Sequence, residues 1–301
     1  MGDDEGGFEA SLTLPSGQAL RVITERQGAE FSEELRAQSE TVHDTDTPEG
    51  MALGSWTGGS IWESGEVLAR LLCAQQSSFW IEKPRVLELG CGCGLLGLAA
   101  AGCGAEEVVL TDQVTFMAEH NLAANFPPDS PARARTRVTR LRWGNEADAQ
   151  SLSPPFDLLL GSDLIYHRDH HPRLVATLGM LSGPNTTILW ATPDGGPDDT
   201  SRPAADGRAS IGYNVSAAAS FASSFASLPL DPLPLQPVQF YERMRRSGWC
   251  CEDITDTPEV AAIVEEVMPM DEFTGNRGRA DTNWGRGDIR VARMTRADSR
   301  L

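Results

Sequence analysis

A chain of 301 residues, 40% of them hydrophobic, can bury a sizeable core and suits one α/β domain with insertions. Its formal net charge of −18 runs against nucleic-acid binding, in which Lys and Arg displace counterions from phosphates. No run approaches the ~20 apolar residues of a membrane span, the opening MGDDEGGFEA is acidic where a targeting peptide is basic, and the six scattered cysteines match neither a disulfide framework nor zinc spacing. A cytoplasmic or nuclear protein with reduced thiols is expected, with no nucleic-acid or membrane partner.

Residues 1–55 read as an acidic N-terminal extension, and 56–301 as the folded domain. Ile61 to Leu72 has apolar residues at Ile61, Trp62, Val67, Leu68, Leu71 and Leu72, the spacing of an amphipathic helix. Val86 to Leu89 reads as a short buried strand, followed by Gly90, Gly92 and Gly94 and a helix over Leu95 to Ala101. Val108 to Thr111 is a second strand ending at Asp112, and Met117 to Asn125 the helix after it. Further strands are expected at Val138 to Trp143, Phe156 to Leu160 and Ile188 to Ala191, with a helix from about Pro172 to Leu181 before the last of these. Residues 193–237 turn to Asp, Gly, Ser, Ala and Pro and read as an insertion. Val238 to Arg246 is helical in pattern, Trp249 to Ile254 and Ile289 to Thr295 read as strands, and 271–288 form a polar, glycine-rich loop. This alternation predicts an α/β fold with a mostly parallel sheet and helices on both faces.

The segment RVLELGCGCGLLG, Arg85 to Gly97, carries most of the chemistry. Its alternating glycines let the backbone turn sharply and approach a ligand where a Cβ would clash, and the N-H groups at the start of the next helix would face that ligand. Gly92, Gly94 and Gly97 also satisfy the GxGxxG spacing of a dinucleotide turn. Glu88, an acid two residues before Gly90, disfavours a pyrophosphate and tolerates the cationic end of S-adenosylmethionine, touched directly or through the turn.

Around this turn lie GGSIWESGEVLARLL, VVLTDQ, NLAAN, LRWGN and FDLLLGSDLIYH, in that order apart from the first, which precedes it. Together they resemble the seven-strand S-adenosylmethionine-dependent methyltransferases, specifically methyltransferase family 16, the non-SET protein-lysine methyltransferases. The resemblance spans about Gly58 to Ala191 and resumes weakly at FYERMRRSGW and RVARM. It implies a Rossmann-like seven-stranded sheet with the last strand antiparallel, S-adenosylmethionine as cofactor, and a lysine side chain of a protein as substrate.

The resemblance also assigns roles. Gly90, Cys91 and Gly92 match backbone positions beside the amino-acid part of the cofactor. Asp112, at a strand end, matches the acid that accepts the ribose hydroxyls, with a helix N-cap as the competing role. Trp62 and Trp143 match cofactor-contacting tryptophans, against ordinary packing for each, and Arg142 stands where the family usually has an acid. Ser162 matches a small residue lining the cofactor site. Asp163 and Tyr166 reproduce the family's DxxY pattern, which places a carboxylate to hold or deprotonate the amine and a tyrosine to orient it. No metal is expected: His167, His170 and His171 read as surface or helix-terminal residues. A monomer is expected. Open alternatives are a histidine, arginine or small-molecule acceptor, a non-catalytic methyltransferase-like binding module, and, on the glycine spacing alone, an NAD-dependent oxidoreductase.

Overall fold

The computed structural model describes residues 10–24, 58–74, 82–165, 168–193, 235–268 and 289–297. Seven strands form one sheet: β3 (Arg85–Leu89), β4 (Glu107–Asp112), β5 (Thr136–Arg140), β6 (Phe156–Ser162), β7 (Ser182–Pro193), β8 (Trp249–Asp253) and β9 (Ile289–Arg296). Their order is β5-β4-β3-β6-β7-β9-β8, with β9 antiparallel to both of its neighbours and the other pairings parallel. The chain therefore runs outward from β3 to β5, then crosses back to place β6 on the other side of β3. In such sheets a ligand crevice opens beyond the carboxyl ends of the strands where the order reverses, here β3 and β6.

Eight helices accompany the sheet among the described residues: α1 (Glu63–Cys73), α2 (Leu95–Gly102), α3 (Phe116–Asn125), α4 (Pro131–Arg135), α5 (Glu146–Ser151), α6 (His171–Leu181), α7 (Leu235–Arg246) and α8 (Pro258–Val267). Strand side chains alternate between two cores. Val86, Val108, Leu110, Leu158, Leu160, Leu189 and Ala191 pack with α1, α2, α3 and α8 on one face. Leu87, Leu89, Val109, Leu159, Ile188 and Trp190 pack with α5, α6 and α7 on the other. Burial on both sides explains why these strands read as continuous apolar runs, each large side chain contributing roughly 2 kcal/mol of transfer free energy.

Local chemistry sets the helix starts. Ser130 and Asn145 cap α4 and α5 by accepting the amides of Arg133 and Asp148, and proline occupies the first turn of α6 and α8. Helix α1 begins at Glu63, two residues later than the apolar spacing suggests, and Trp62 is its extended N-cap. Strand β5 lies at Thr136–Arg140, not Val138 to Trp143, so Leu141 to Trp143 leave the sheet. Helices α4, α5 and α8 were not anticipated.

The expected N-terminal extension is in part folded into the domain. Strands β1 (Ala10–Thr13) and β2 (Ala19–Val22) form an antiparallel hairpin whose Leu12, Leu14, Leu20 and Val22 join the first core. The signal was present in SLTLPSGQALRV: apolar residues alternate on either side of Pro15-Ser16-Gly17, and Gly17 adopts the φ of +84° that closes the turn. Of the expected 193–237 insertion, Leu235 to Pro237 begin α7, while 194–234 and the 271–288 loop lie outside the described residues.

Candidate active site

The site is assembled at the carboxyl ends of three adjacent strands, β4, β3 and β6. After β3 the chain turns through Gly90, Gly92 and Gly94, with φ of +58°, +51° and +87°, the left-handed region where a Cβ is penalised. The turn is held by β4 and by itself: the Cys91 amide donates to the Thr111 carbonyl at 2.9 Å, and the Gly94 amide to the Cys91 carbonyl at 2.7 Å. Close approach requires glycine twice. A Cβ on Gly92 would lie 2.7 Å from the Gly58 carbonyl oxygen, and one on Gly90 would lie 2.4 Å from Leu164 Cδ2. The thiols of Cys91 and Cys93 are buried, burial pushes the Cys91 thiol well up, and Cys93 Sγ donates to the Gly58 carbonyl.

Two acids serve the backbone of this turn. Glu88 is buried on the α2 side of β3, and its Oε2 accepts the Gly97 amide at 2.8 Å. One of the N-H groups expected to face a ligand is thereby satisfied from inside the fold. Burial pushes the Glu88 carboxyl up to about 8, the Gly97 bond opposes that rise, and the Asp112 charge adds to it. Asp112 ends β4 half-buried. Its Oδ1 accepts the amides of Gln113 and Val114 at 2.7 and 3.1 Å, and its Oδ2 accepts the Gly92 amide at 2.9 Å. The start of α3 is at Phe116 with Thr115 as N-cap, so Asp112 bends the strand-to-helix connection and is not the helix cap. Oδ1 thus carries two backbone amides and Oδ2 carries that of the glycine turn.

The third wall is the end of β6. Ser162 is half-buried, and its Oγ lies 3.2 Å from where a Gly65 Cβ would stand, which seats the first turn of α1 against β6. Asp163 follows with φ of +55° and donates its amide to the Ala191 carbonyl at 3.0 Å. Its carboxyl is hydrogen-bonded to the Ser64 side chain and does not cap the next helix. Burial raises the Asp163 carboxyl to about 7, the Ser64 bond opposes this, and the Glu63 charge adds to it. Leu164 then packs beneath Gly90, which ties the DxxY segment to the glycine turn.

Gly90, Cys91, Gly92 and Asp112 therefore share one hydrogen-bonded unit, and Ser162 and Asp163 stand across it on the neighbouring strand. Trp62 lies at the α1 end of this wall. Trp143 is set further out, beyond β5, half-buried with its ring edge-on to His170 at 6.0 Å. Tyr166 and His167 lie outside the described residues. His171 is buried and bonded through Nε2 to the Ile165 carbonyl, and among the described residues no group of three or more His, Cys, Asp and Glu side chains is arranged to hold a metal. Arg142, in place of the family's acid, forks onto Asp148 through Nε at 2.8 Å and Nη2 at 2.9 Å, and this hydrogen bonding holds the Asp148 carboxyl below its ordinary range. Ser64 and Leu164 went unassigned in the sequence. Their roles depend on which strand end α1 abuts, and no local pattern reports that.

Residues 50–196 match a family model described as lysine methyltransferase. Protein N-lysine methyltransferase METTL21A of Mus musculus is 37% identical over 134 residues, 44% of this chain and 58% of that protein. EEF1A lysine methyltransferase 3 of Mus musculus is 34% identical over 134 residues, 44% of this chain and 54% of that protein. Calmodulin-lysine N-methyltransferase of Arabidopsis thaliana is 36% identical over 126 residues, 40% of this chain and 39% of that protein. The matched segment thus spans little more than half the length of the first of these relatives. Among solved structures, glycopeptide N-methyltransferase MtfA complexed with S-adenosyl-L-methionine aligns over 79% of this chain and 96% of its own, at 17% identity and a TM-score of 0.45.

Proposed function

We propose that this chain is an S-adenosylmethionine-dependent protein methyltransferase acting on a lysine side chain. The observation that carries the proposal is the pairing, across β3 and β6, of a strand-to-helix glycine turn with the half-buried Asp163, which is bonded to Ser64 and has its carboxyl raised to about 7. The lysine methyltransferase match over residues 50–196 supports the same chemistry.

The residues present fit the cofactor. In this reading the turn at Gly90, Cys91 and Gly92 lies beside its amino-acid part, and the half-buried Asp112 carboxylate takes a ribose hydroxyl. Trp62, Trp143 and Ser162 supply the flanking apolar and small surfaces. When bound, S-adenosylmethionine supplies an electrophilic methyl on a sulfonium.

The chain's own work concerns the acceptor. A lysine ammonium has no lone pair, so a proton must leave before its nitrogen can act as a nucleophile. Asp163 is placed to do this or to hold the cation: above about pH 7 it is a carboxylate that pairs with the amine, and near pH 7 it can exchange a proton with it. The Ser64 hydroxyl fixes the carboxylate's direction, and Tyr166 orients the amine and excludes water. No covalent enzyme intermediate is needed. The formal charge of −18 favours encounter with a lysine-rich protein surface and disfavours nucleic acid. The working form is a cytoplasmic monomer.

Two measurements test this. Titration with S-adenosylhomocysteine should show saturable binding, and none at millimolar ligand refutes the cofactor. Labelled methyl from S-adenosylmethionine should appear in a cell lysate on protein lysine, and label found by mass spectrometry on another acceptor refutes the substrate class.

A further inference from the structure

The NLAAN motif of α3 takes no part in the site just described, yet its two asparagines do unusual work. Asn121 is fully buried. Its Oδ1 accepts the Ile23 amide at 2.9 Å, and its Nδ2 donates both to the Ile23 carbonyl at 3.0 Å and to the Cys93 carbonyl at 2.9 Å. One turn later, Asn125 Oδ1 accepts the Arg21 amide at 2.8 Å and its Nδ2 donates to the Arg21 carbonyl at 2.7 Å. Gln18 Nε2 donates to the Asn125 carbonyl at 2.8 Å. Side chains at i and i+4 of a helix lie on one face, and residues at i and i+2 of a strand share one edge. The two amides therefore meet the outward peptide groups of Arg21 and Ile23 as a neighbouring strand would.

The asparagines differ in one respect. Asn125 reaches only the hairpin and its own helix, whereas Asn121 also reaches the glycine turn. The same residue of the turn, Cys93, is held from its other side by the Gly58 carbonyl through its thiol. Ile23, beside the hairpin, and Gly58 are thus both tied to Cys93, the first through Asn121 and the second directly.

We propose that Asn121 is a positioning residue for the cofactor turn, coupling the docked N-terminal hairpin to S-adenosylmethionine affinity. This rests on the cofactor reading above. Asn121 supplies a buried donor to the Cys93 carbonyl, and losing that bond loosens the peptide beside Gly92 and Gly94. Linkage then works in both directions: a ligand that needs the turn in this shape favours the docked hairpin, and hairpin docking favours the ligand.

The test uses the full chain and S-adenosylhomocysteine. Asn121→Ala and Asn125→Ala both remove two bonds to the hairpin, so a purely structural role lowers their Tm together and moves the two Kd values alike. The expected result is a Kd raised about tenfold or more in Asn121→Ala and within about twofold of wild type in Asn125→Ala. Equal Kd values in the two variants overturn the proposal. Hydrogen exchange on the unmodified protein supplies an arm independent of variant folding: S-adenosylhomocysteine should slow exchange of the Ile23 amide, and an unchanged rate overturns the proposal. Absence of binding to the unmodified protein instead refutes the cofactor reading on which it stands.

Discussion

Glu88→Gln tests whether the acid of the glycine motif is structural. The Glu88 carboxyl rises from an ordinary value of 4.5 to about 8 on folding, chiefly because burial disfavours its charge. A carboxyl raised in the folded state binds its proton more tightly there than in the unfolded chain. Its stabilising effect is therefore complete below the unfolded value and is lost as pH rises towards the folded one. The ceiling, over the full interval, is about 5 kcal/mol, and between about pH 5.5 and about pH 7.5 the loss from this group is about 2–3 kcal/mol. Glutamine keeps an oxygen to accept the Gly97 amide and cannot ionise. Urea unfolding of both proteins at the two pH values should show the variant gaining about 2–3 kcal/mol relative to wild type as pH increases. Asp163 titrates with the same sign in both proteins and cancels in the difference. Parallel stability curves would refute the claim that Glu88 is a buried, largely protonated acid at neutral pH.

Asp163→Asn should lower kcat by about a hundredfold or more while leaving the Kd for S-adenosylhomocysteine within about threefold. In the wild type the rate should climb through about pH 7 as the carboxylate forms, and steady-state rates across pH should show that limb absent from the variant. Gly92→Ala places a Cβ 2.7 Å from the Gly58 carbonyl oxygen at a φ of +51°, and should cost about 2–4 kcal/mol in urea unfolding and weaken S-adenosylhomocysteine by more than about tenfold. Arg142→Ala removes the fork onto Asp148, but the arginine side chain is 56% exposed, so the loss should stay below about 1 kcal/mol. That loss should be present at neutral pH and disappear as acid protonates Asp148, because the pairing lowers the folded carboxyl's affinity for its proton.

The strands that position the site were legible because both of their faces are buried: VLEL, VVLT, FDLLL and ILWA are apolar runs that no exposed segment would carry. The reversed final strand came from family resemblance, since IRVARM alternates the same way in either direction. Strand β5 was misplaced because TRVTRLRW is only partly buried and its edge position tolerates arginine on both sides of Val138. The hairpin was lost beneath the acidic composition of its surroundings, although its own twelve-residue pattern is that of two strands about a Pro-Ser-Gly turn. Asp163 was found from its motif. That it leans on Ser64 was not, because this depends on tertiary placement of α1 against β6.

The same distinction separates the two acids of the glycine motif. A glycine turn frees backbone from side chains, and each amide it exposes then needs an acceptor or a ligand. Glu88 answers this need from the buried side, at Gly97, where a ligand cannot reach. Asp112 answers it from the half-buried side, at Gly92, while its other oxygen holds Gln113 and Val114. A ribose hydroxyl binding at Oδ2 would share that oxygen with the Gly92 amide, so the nucleoside contact and the shape of the turn are joined through one atom. Substituting Asp112 consequently alters the empty turn as well as the ligand contact. The variant that isolates turn geometry from direct contact is Asn121→Ala, which acts on the far side at Cys93.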